Sequence, residues 1–118
     1  MKSNEQIANE WFTAFNAHDL ESLLLLYADD AGHYSPKLKA RQPETEGRIK
    51  GKDALRAWWK DAFERLPELH YEPGKITANE FRVFMEYKRQ VPGEEDMLVA
   101  EVLDVENGKI VASRVYHG

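Results

Sequence analysis

Histidine and serine are the residues of this sequence best suited to acid–base chemistry. His33 and Ser35 lie two residues apart on a short predicted extended segment, so their side chains project to the same side. His117 lies in the last predicted strand, on the same face as Ser113. Imidazole titrates near neutral pH, which suits a general acid or base at the wall of a small-molecule cavity. The alternative interpretation is that both histidines are half-buried and hydrogen-bonded to the backbone or to each other.

A predicted hairpin at residues 97–118 carries another pair of polar side chains. Its turn is Asn107-Gly108, a dipeptide typical of two-residue turns. The register that this turn implies places Glu101 opposite Arg114. Such a cross-strand pair of opposite charges stabilises a sheet by about 0.2–1 kcal/mol, which is the first interpretation of these two residues. The alternative is that the twist of the strands brings Arg114 into a cavity, where it would hold an acidic or carbonyl group.

Both faces of the predicted hairpin are too apolar to face solvent. Helices are expected to cover one face and a second copy of the chain the other, so the hairpin predicts a homodimer. The face assigned to the helices holds Ala100, Val102, Val115 and His117. The face assigned to the dimer surrounds the Glu101–Arg114 pair and holds Val99, Leu103, Ala112 and Tyr116.

Composition narrows the possible sites and partners. The 118-residue chain has no cysteine, which excludes thiolate chemistry and cysteine-bound zinc. Its four histidines lack metal-ligand spacing and Asp29-Asp30 is interpreted as a helix end, so we predict no metal and no cofactor. The net charge of −5 and the scattered basic residues argue against nucleic-acid binding. With no signal-peptide or membrane-spanning pattern, a soluble cytoplasmic protein is expected.

Three helices followed by strands are predicted to position these residues in one domain, 1–118. Ser3 begins a capping-box pattern for the first helix, and Asp19 is placed to cap the second, which should end at residues 29–32. Residues 37–50 are expected to be a loop, and a third helix should follow Gly51. Alternating polarity then predicts an antiparallel sheet in an α+β fold, with strands at 69–78, 81–91, 97–105 and 109–117.

Four segments resemble the nuclear-transport-factor-2-like superfamily, in particular its SnoaL-like and ketosteroid-isomerase-like branch. They are WFTAFNAHDL at 11–20, LYADDA at 26–31, GKDALRAWW at 51–59 and ENGKIVASRVY at 106–116. The resemblance implies that three helices pack on a strongly curled sheet with a mixed edge, forming a cone around an apolar pocket. It also implies a homodimer built through the outer face of the sheet.

The resemblance further implies which residues face the pocket. The base, the oxyanion-hole tyrosine and the second acid of the steroid-isomerase branch correspond to Ser35, Trp11 and Val102, so a standard ketosteroid isomerase is disfavoured. The catalytic candidates are therefore His33, His117 and Ser35. The expected substrate-binding residues are mostly apolar or aromatic and comprise Trp11, Trp58, Phe81, Met85, Tyr87, Val102 and Arg114.

Three functions are open from the sequence. The first is cofactor-free acid–base chemistry on a small, mostly apolar carbonyl compound, as in SnoaL-like polyketide cyclases and isomerases. The second is a non-enzymatic module that binds a small hydrophobic molecule in the same pocket. The third is a purely structural dimerisation module, in which side chains would fill the pocket.

Overall fold

A computed structural model describes residues 2–118 as helices packed on one mixed sheet. The helices are α1 (Asn4–Asn16), α2 (Leu20–Leu25), α3 (Pro36–Arg41) and α4 (Lys52–Arg65), with a 3₁₀ turn at Pro43–Thr45. The strands are β1 (Tyr27–Tyr34), β2 (Arg48–Lys50), β3 (His70–Ala78), β4 (Arg82–Gln90), β5 (Met97–Glu106) and β6 (Lys109–His117). Their order is β2-β1-β6-β5-β4-β3; β1 and β6 are parallel, and the other neighbours are antiparallel. The predicted α+β class is confirmed.

Capping side chains begin the first two helices, as predicted. The Ser3 hydroxyl accepts from the Gln6 amide while the Gln6 side chain accepts from the Ser3 amide, which completes a capping box. The Asp19 carboxylate accepts from the Ser22 amide at the start of α2. The helically spaced face of α1 is buried and includes Ile7, Ala8, Trp11, Phe12 and Phe15.

The segment between α2 and α4 differs from the sequence prediction. Residues 29–32 lie in β1 rather than at a helix end, because α2 already ends at Leu25. Residues 37–50, predicted to be a loop, contain most of α3, the 3₁₀ turn and β2. The Ser35 hydroxyl accepts from the Lys37 amide and Pro36 occupies the first turn, so a Ser-Pro pair starts α3.

The hairpin of β5 and β6 has the predicted turn but a different register. Asn107 and Gly108 have φ values of 52° and 75°, as a two-residue turn requires. The two pairs next to the turn are as predicted, but Asp104 then pairs with Ala112, so Val111 is an extra residue on β6. This β-bulge shifts every later pair by one residue and reverses the faces of β6 relative to β5.

The bulge separates Glu101 from Arg114. Glu101 pairs with Val115 and is buried beneath the helices, whereas Arg114 pairs with Val102 on the outer face. There Arg114 donates to the Asp104 carboxylate at 2.7 Å, so the predicted Glu101–Arg114 pair is wrong. The inner face of the hairpin consists of Val99, Glu101, Leu103, Ser113, Val115 and His117. The outer face consists of Leu98, Ala100, Val102, Ala112, Arg114 and Tyr116. Its β5 residues differ from those of the predicted dimer face.

The hydrophobic core lies between the inner face of the sheet and the helices. Its largest fully buried side chains are aromatic: Trp11, Tyr27, Tyr87 and Phe15. Rings from α1 and the sheet stack directly, and the centroids of Phe15 and Tyr71 are 4.0 Å apart. Within residues 2–118, every helix is too short or too polar to cross a membrane.

Candidate functional site

A cavity of about 330 Å³ opens between the inner face of the sheet and helices α1, α3 and α4. This volume is near the lower end of the roughly 300–1,000 Å³ typical of small-molecule sites. Aromatic side chains form much of the wall, contributed by Trp11, Phe15, Trp58, Trp59, Tyr71 and Tyr87. Polar side chains reach the cavity from the strands and their ends, namely His33, Ser35, Glu101 and His117. In residues 2–118, no three His, Asp or Glu side chains come together as a metal site requires.

Glu101 is a buried carboxyl group in this aromatic wall. It is 1% exposed, and the Tyr87 hydroxyl donates to its Oε1 atom at 2.7 Å. Its Oε2 atom is buried without any hydrogen-bond partner. Burial raises the pKa of Glu101 from 4.5 to about 8, although the hydrogen bond from Tyr87 opposes the shift. Glu101 is therefore mostly protonated at pH 7, and its Oε2 atom makes no hydrogen bond within the protein.

His33 is held by a buried chain of hydrogen bonds. The Trp11 indole N–H donates to the Tyr27 hydroxyl, which donates to Ser113 Oγ, each at 3.1 Å. Ser113 Oγ is 2.6 Å from His33 Nδ1. Ser113 Oγ can donate its hydrogen to Nδ1 while it accepts from Tyr27, and in that arrangement the His33 proton is on Nε2. Burial lowers the pKa of His33 to about 4, so the imidazole is neutral at pH 7.

Replacing Ser113 with Ala should destabilise the protein by about 2–4 kcal/mol. The change removes the acceptor of the Tyr27 hydroxyl hydrogen and the partner of His33 Nδ1, and each such buried loss costs about 1–3 kcal/mol. Urea unfolding measures the effect. The control is Ser22→Ala on α2, an exposed position where loss of the hydroxyl's hydrogen bond to Asp19 should cost about 1 kcal/mol or less. Equal effects of the two substitutions would contradict the hydrogen-bond chain.

His117 and Ser35 lie toward the mouth of the cavity. Burial, followed by the nearby charges of Lys37 and Arg89, lowers the pKa of His117. The Ser35 hydroxyl already accepts from the Lys37 amide as the cap of α3, so its oxygen has a structural role. Its hydrogen can still be donated to a ligand.

Six predicted site residues line the cavity: His33, Ser35, His117, Trp11, Trp58 and Tyr87. The structure places the other four elsewhere. Phe81 precedes β4 and is 71% exposed, while Met85 is fully buried in the core away from the cavity. Val102 and Arg114 are on the outer face because of the bulge at Val111. Their predicted positions in the pocket are therefore corrected.

Glu101 is the important site residue that the sequence prediction placed elsewhere. The assumed register gave it a charged partner and a place outside the pocket. One signal could have identified it: Glu101 is the only charged residue in the run Val99–Leu103. A carboxyl group in the middle of an apolar strand is either paired or functional.

Similarity to known proteins agrees with this architecture. Residues 8–113 match the SnoaL-like domain family, whereas no curated protein matches the chain. A SnoaL-like protein of unknown function from Burkholderia thailandensis is 30% identical, with a TM-score of 0.87 over 97% of this chain and 92% of that one. A candidate ketosteroid isomerase from Kribbella flavida is 17% identical (TM-score 0.78, 96% and 76% covered). A candidate polyketide cyclase from Sinorhizobium meliloti is 20% identical (TM-score 0.77, 98% and 100% covered). The chain therefore belongs to the SnoaL-like family and has the nuclear-transport-factor-2-like fold.

Proposed function

We propose that the cavity binds a small, mostly apolar carbonyl compound and transfers a proton at the carbon next to the carbonyl, without a cofactor. The observation that carries this proposal is the unpartnered Oε2 atom of Glu101 in the cavity wall. A buried polar atom without a partner costs about 1–3 kcal/mol, so its presence favours a ligand group that completes its hydrogen bonding. The isomerase and cyclase descriptions of two similar structures support the same reaction class.

In this proposal Glu101 is the base that transfers the proton, and His33 stabilises the enolate. The ionised fraction of Glu101 removes the proton from carbon, the electron pair of the broken C–H bond forms a C=C bond, and the π pair of the carbonyl moves onto its oxygen. A base whose pKa is near the working pH suits this step, and the pKa of Glu101 is about 8. The neutral His33 imidazole donates its Nε2–H to the enolate oxygen. Glu101 then returns the proton to a different carbon in an isomerisation. In a cyclisation, the enolate carbon attacks a second carbonyl, the π pair of that carbonyl moves onto its oxygen, and Glu101 returns the proton to this oxygen.

The remaining cavity residues position the substrate in this proposal. Trp11, Trp58 and Tyr87 contact its apolar body, since aromatic walls favour a flat or hydrophobic ligand. Ser35 and His117 orient polar groups near the mouth. The helices and the sheet together would form the wall of a cone, of which the cavity is the interior.

Exchange of the α-protons of 2-tetralone in D₂O tests the proposal directly. This bicyclic ketone is small and apolar, and proton NMR follows the loss of its α-proton signal. The protein should accelerate exchange saturably with ketone concentration. Glu86→Gln is the matched control and should retain full activity, because Glu86 lies on the outer face of β4 opposite Ala100. No acceleration at a ketone concentration that saturates the cavity would contradict the catalytic proposal.

A binding module without catalysis is the second candidate function. Two observations favour it: the Trp11 N–H is already bonded to Tyr27, and the Ser35 oxygen caps α3. Two of the three positions that correspond to isomerase residues therefore have structural roles. Saturable quenching of tryptophan fluorescence by 2-tetralone, with no proton exchange, would favour this function over catalysis.

We also propose a homodimer through the outer face of the sheet. Leu98 is 57% exposed there and Tyr116 is 49% exposed, which is unusual for large apolar side chains on one surface. Light scattering at micromolar concentration should give twice the 13.7 kDa chain mass. Leu98→Lys should yield monomers, whereas Leu25→Lys, at a comparably exposed position on α2, should not. A wild-type monomer would refute the dimer.

A further inference from the structure

The mouth of the cavity carries an excess of positive charge. Four cationic side chains line it, against the carboxylate of Glu94: they are Lys37, Arg41, Arg65 and Arg89. The whole chain has a net charge of −5, so this local excess opposes the overall charge. Charge of one sign beside low-dielectric walls concentrates the field where a ligand enters.

The four cations are not equally available to a ligand. Arg65 and Arg41 both approach the carboxylate of Asp61, at 2.7 Å and 3.9 Å. Arg89 is bonded to Glu94 at 2.9 Å, and its side chain is only 11% exposed. Lys37, by contrast, makes no ion pair with any residue in 2–118.

Lys37, Arg89, Glu94 and His117 form one group at this mouth. All four side chains line the same cavity, where Arg89 is bonded to Glu94 at 2.9 Å, and the charges of Lys37 and Arg89 lower the pKa of both His117 and Glu94. With His117 neutral, two positive charges and one negative charge leave an excess of one positive charge. A single anionic group would neutralise the set, with Lys37 and Arg89 as its donors.

We infer that the ligand of this cavity is an organic acid whose carboxylate lies between Lys37 and Arg89 at the mouth, while its apolar body lies among the cavity's aromatic rings. This inference rests on the proposed function, because it names the chemical class of the ligand for the same cavity. The carboxylate end is fixed at the cationic mouth, which directs the opposite, carbonyl-bearing end inward to Glu101 and His33. The polarity of the site thus sets the orientation of the substrate.

Isothermal titration calorimetry with 2-naphthoate and 2-naphthamide tests the inference. The two probes share ring, size and shape but differ in charge. The protein should bind naphthoate about tenfold more tightly at low ionic strength, as expected for a carboxylate near two cations. The preference should shrink as salt is added, because salt screens partly exposed charges.

Substitution of Lys37 tests whether this residue causes the preference for naphthoate over naphthamide. Lys37→Gln should weaken naphthoate binding about three- to fivefold, the size of one contact between partly exposed charges, and leave naphthamide binding unchanged. Lys37→Arg should retain the preference. Lys60→Gln is the charge-matched control, because Lys60 lies outside the cavity and pairs with Glu64 at 3.0 Å.

The outcomes separate this inference from the proposed function. Equal affinities for the two probes would overturn the organic-acid assignment, while the cavity would still qualify as a ligand site. Equal losses in Lys37→Gln and Lys60→Gln would also overturn it, since the effect would then be one of net charge. Binding of neither probe would likewise overturn the organic-acid assignment. Exchange on neutral 2-tetralone tests catalysis independently of all three results.

Discussion

Replacing Glu101 with Gln should lower the rate of 2-tetralone exchange by at least about 100-fold, the lower end of what a positioned general base contributes. The amide keeps the size of the side chain and can still accept the hydrogen bond that Tyr87 donates to Oε1. It has no oxygen that can take a proton from carbon. Binding of the ketone should change little, so the loss should appear in kcat rather than in KM.

The pH dependence of exchange provides a second measurement of the same role. Because the pKa of Glu101 is about 8, the basic form is a minor fraction at pH 6 and becomes the major form above pH 8. The rate should therefore rise about tenfold per pH unit in the acidic range and level off near pH 8. Levelling near pH 4–5, or a Glu101→Gln variant as active as Glu86→Gln, would assign the base to another residue.

Local signals in the sequence were sufficient for much of the fold. The capping box at Ser3, the Asp19 cap and the Asn107-Gly108 turn act through contacts within a few residues, and each is present in the structure. The Ser35-Pro36 pair is a comparable signal for α3. The polar composition of residues 37–50 predicts a loop instead, but such a composition does not exclude short helices.

The turn alone could not predict the position of Glu101, because that position depends on one extra residue in β6. A two-residue turn fixes pairing beside itself, but a bulge can shift the register farther along the strands. Val111 carries no sequence mark of such a bulge, since it is β-branched and suits regular strand. Only after the shift does Arg114 meet Asp104, leaving Glu101 to the inner face. The single extra residue Val111 therefore decides whether Glu101 pairs with Arg114 or lies in the cavity wall as a candidate catalytic base.

The hydrogen-bond chain to His33 was beyond sequence reasoning for a different reason. Tyr27 and Ser113 are 86 residues apart, and parallel pairing of β1 with β6 brings them together. No local pattern encodes that pairing. The sequence could identify His33 as a candidate, but its hydrogen bond to Ser113 and its lowered pKa arise from tertiary contacts.

The free energy of unfolding should decrease as the pH rises from about 6.5 to 8. The pKa of Glu101 is about 8 in the folded protein against an ordinary 4.5, so its contribution is complete below pH 4.5 and is lost as the pH rises toward 8. The pKa of His33 is about 4 against 6.5, so its contribution is present above pH 6.5 and is lost as the pH falls toward 4. The two effects oppose each other between pH 4.5 and 6.5, and Glu101 acts alone above that range. Its slope there is at most about 1.4 kcal/mol per pH unit.

Glu101→Gln should abolish this alkaline decrease and raise the free energy of unfolding at pH 8 by about 1–3 kcal/mol, because the amide never has to be buried as an anion. Urea unfolding at pH 5.5, 7 and 8 measures the effect, and Glu86→Gln should follow the wild type. Parallel pH curves for wild type and Glu101→Gln would show that the pKa of the carboxyl group is not shifted. A variant that is more stable at pH 8 yet unable to exchange protons would mean that Glu101 weakens the fold and is retained for chemistry. That combination is expected of a catalytic carboxyl group, and it would separate the enzyme from the binding module, since only the enzyme transfers a proton at this position.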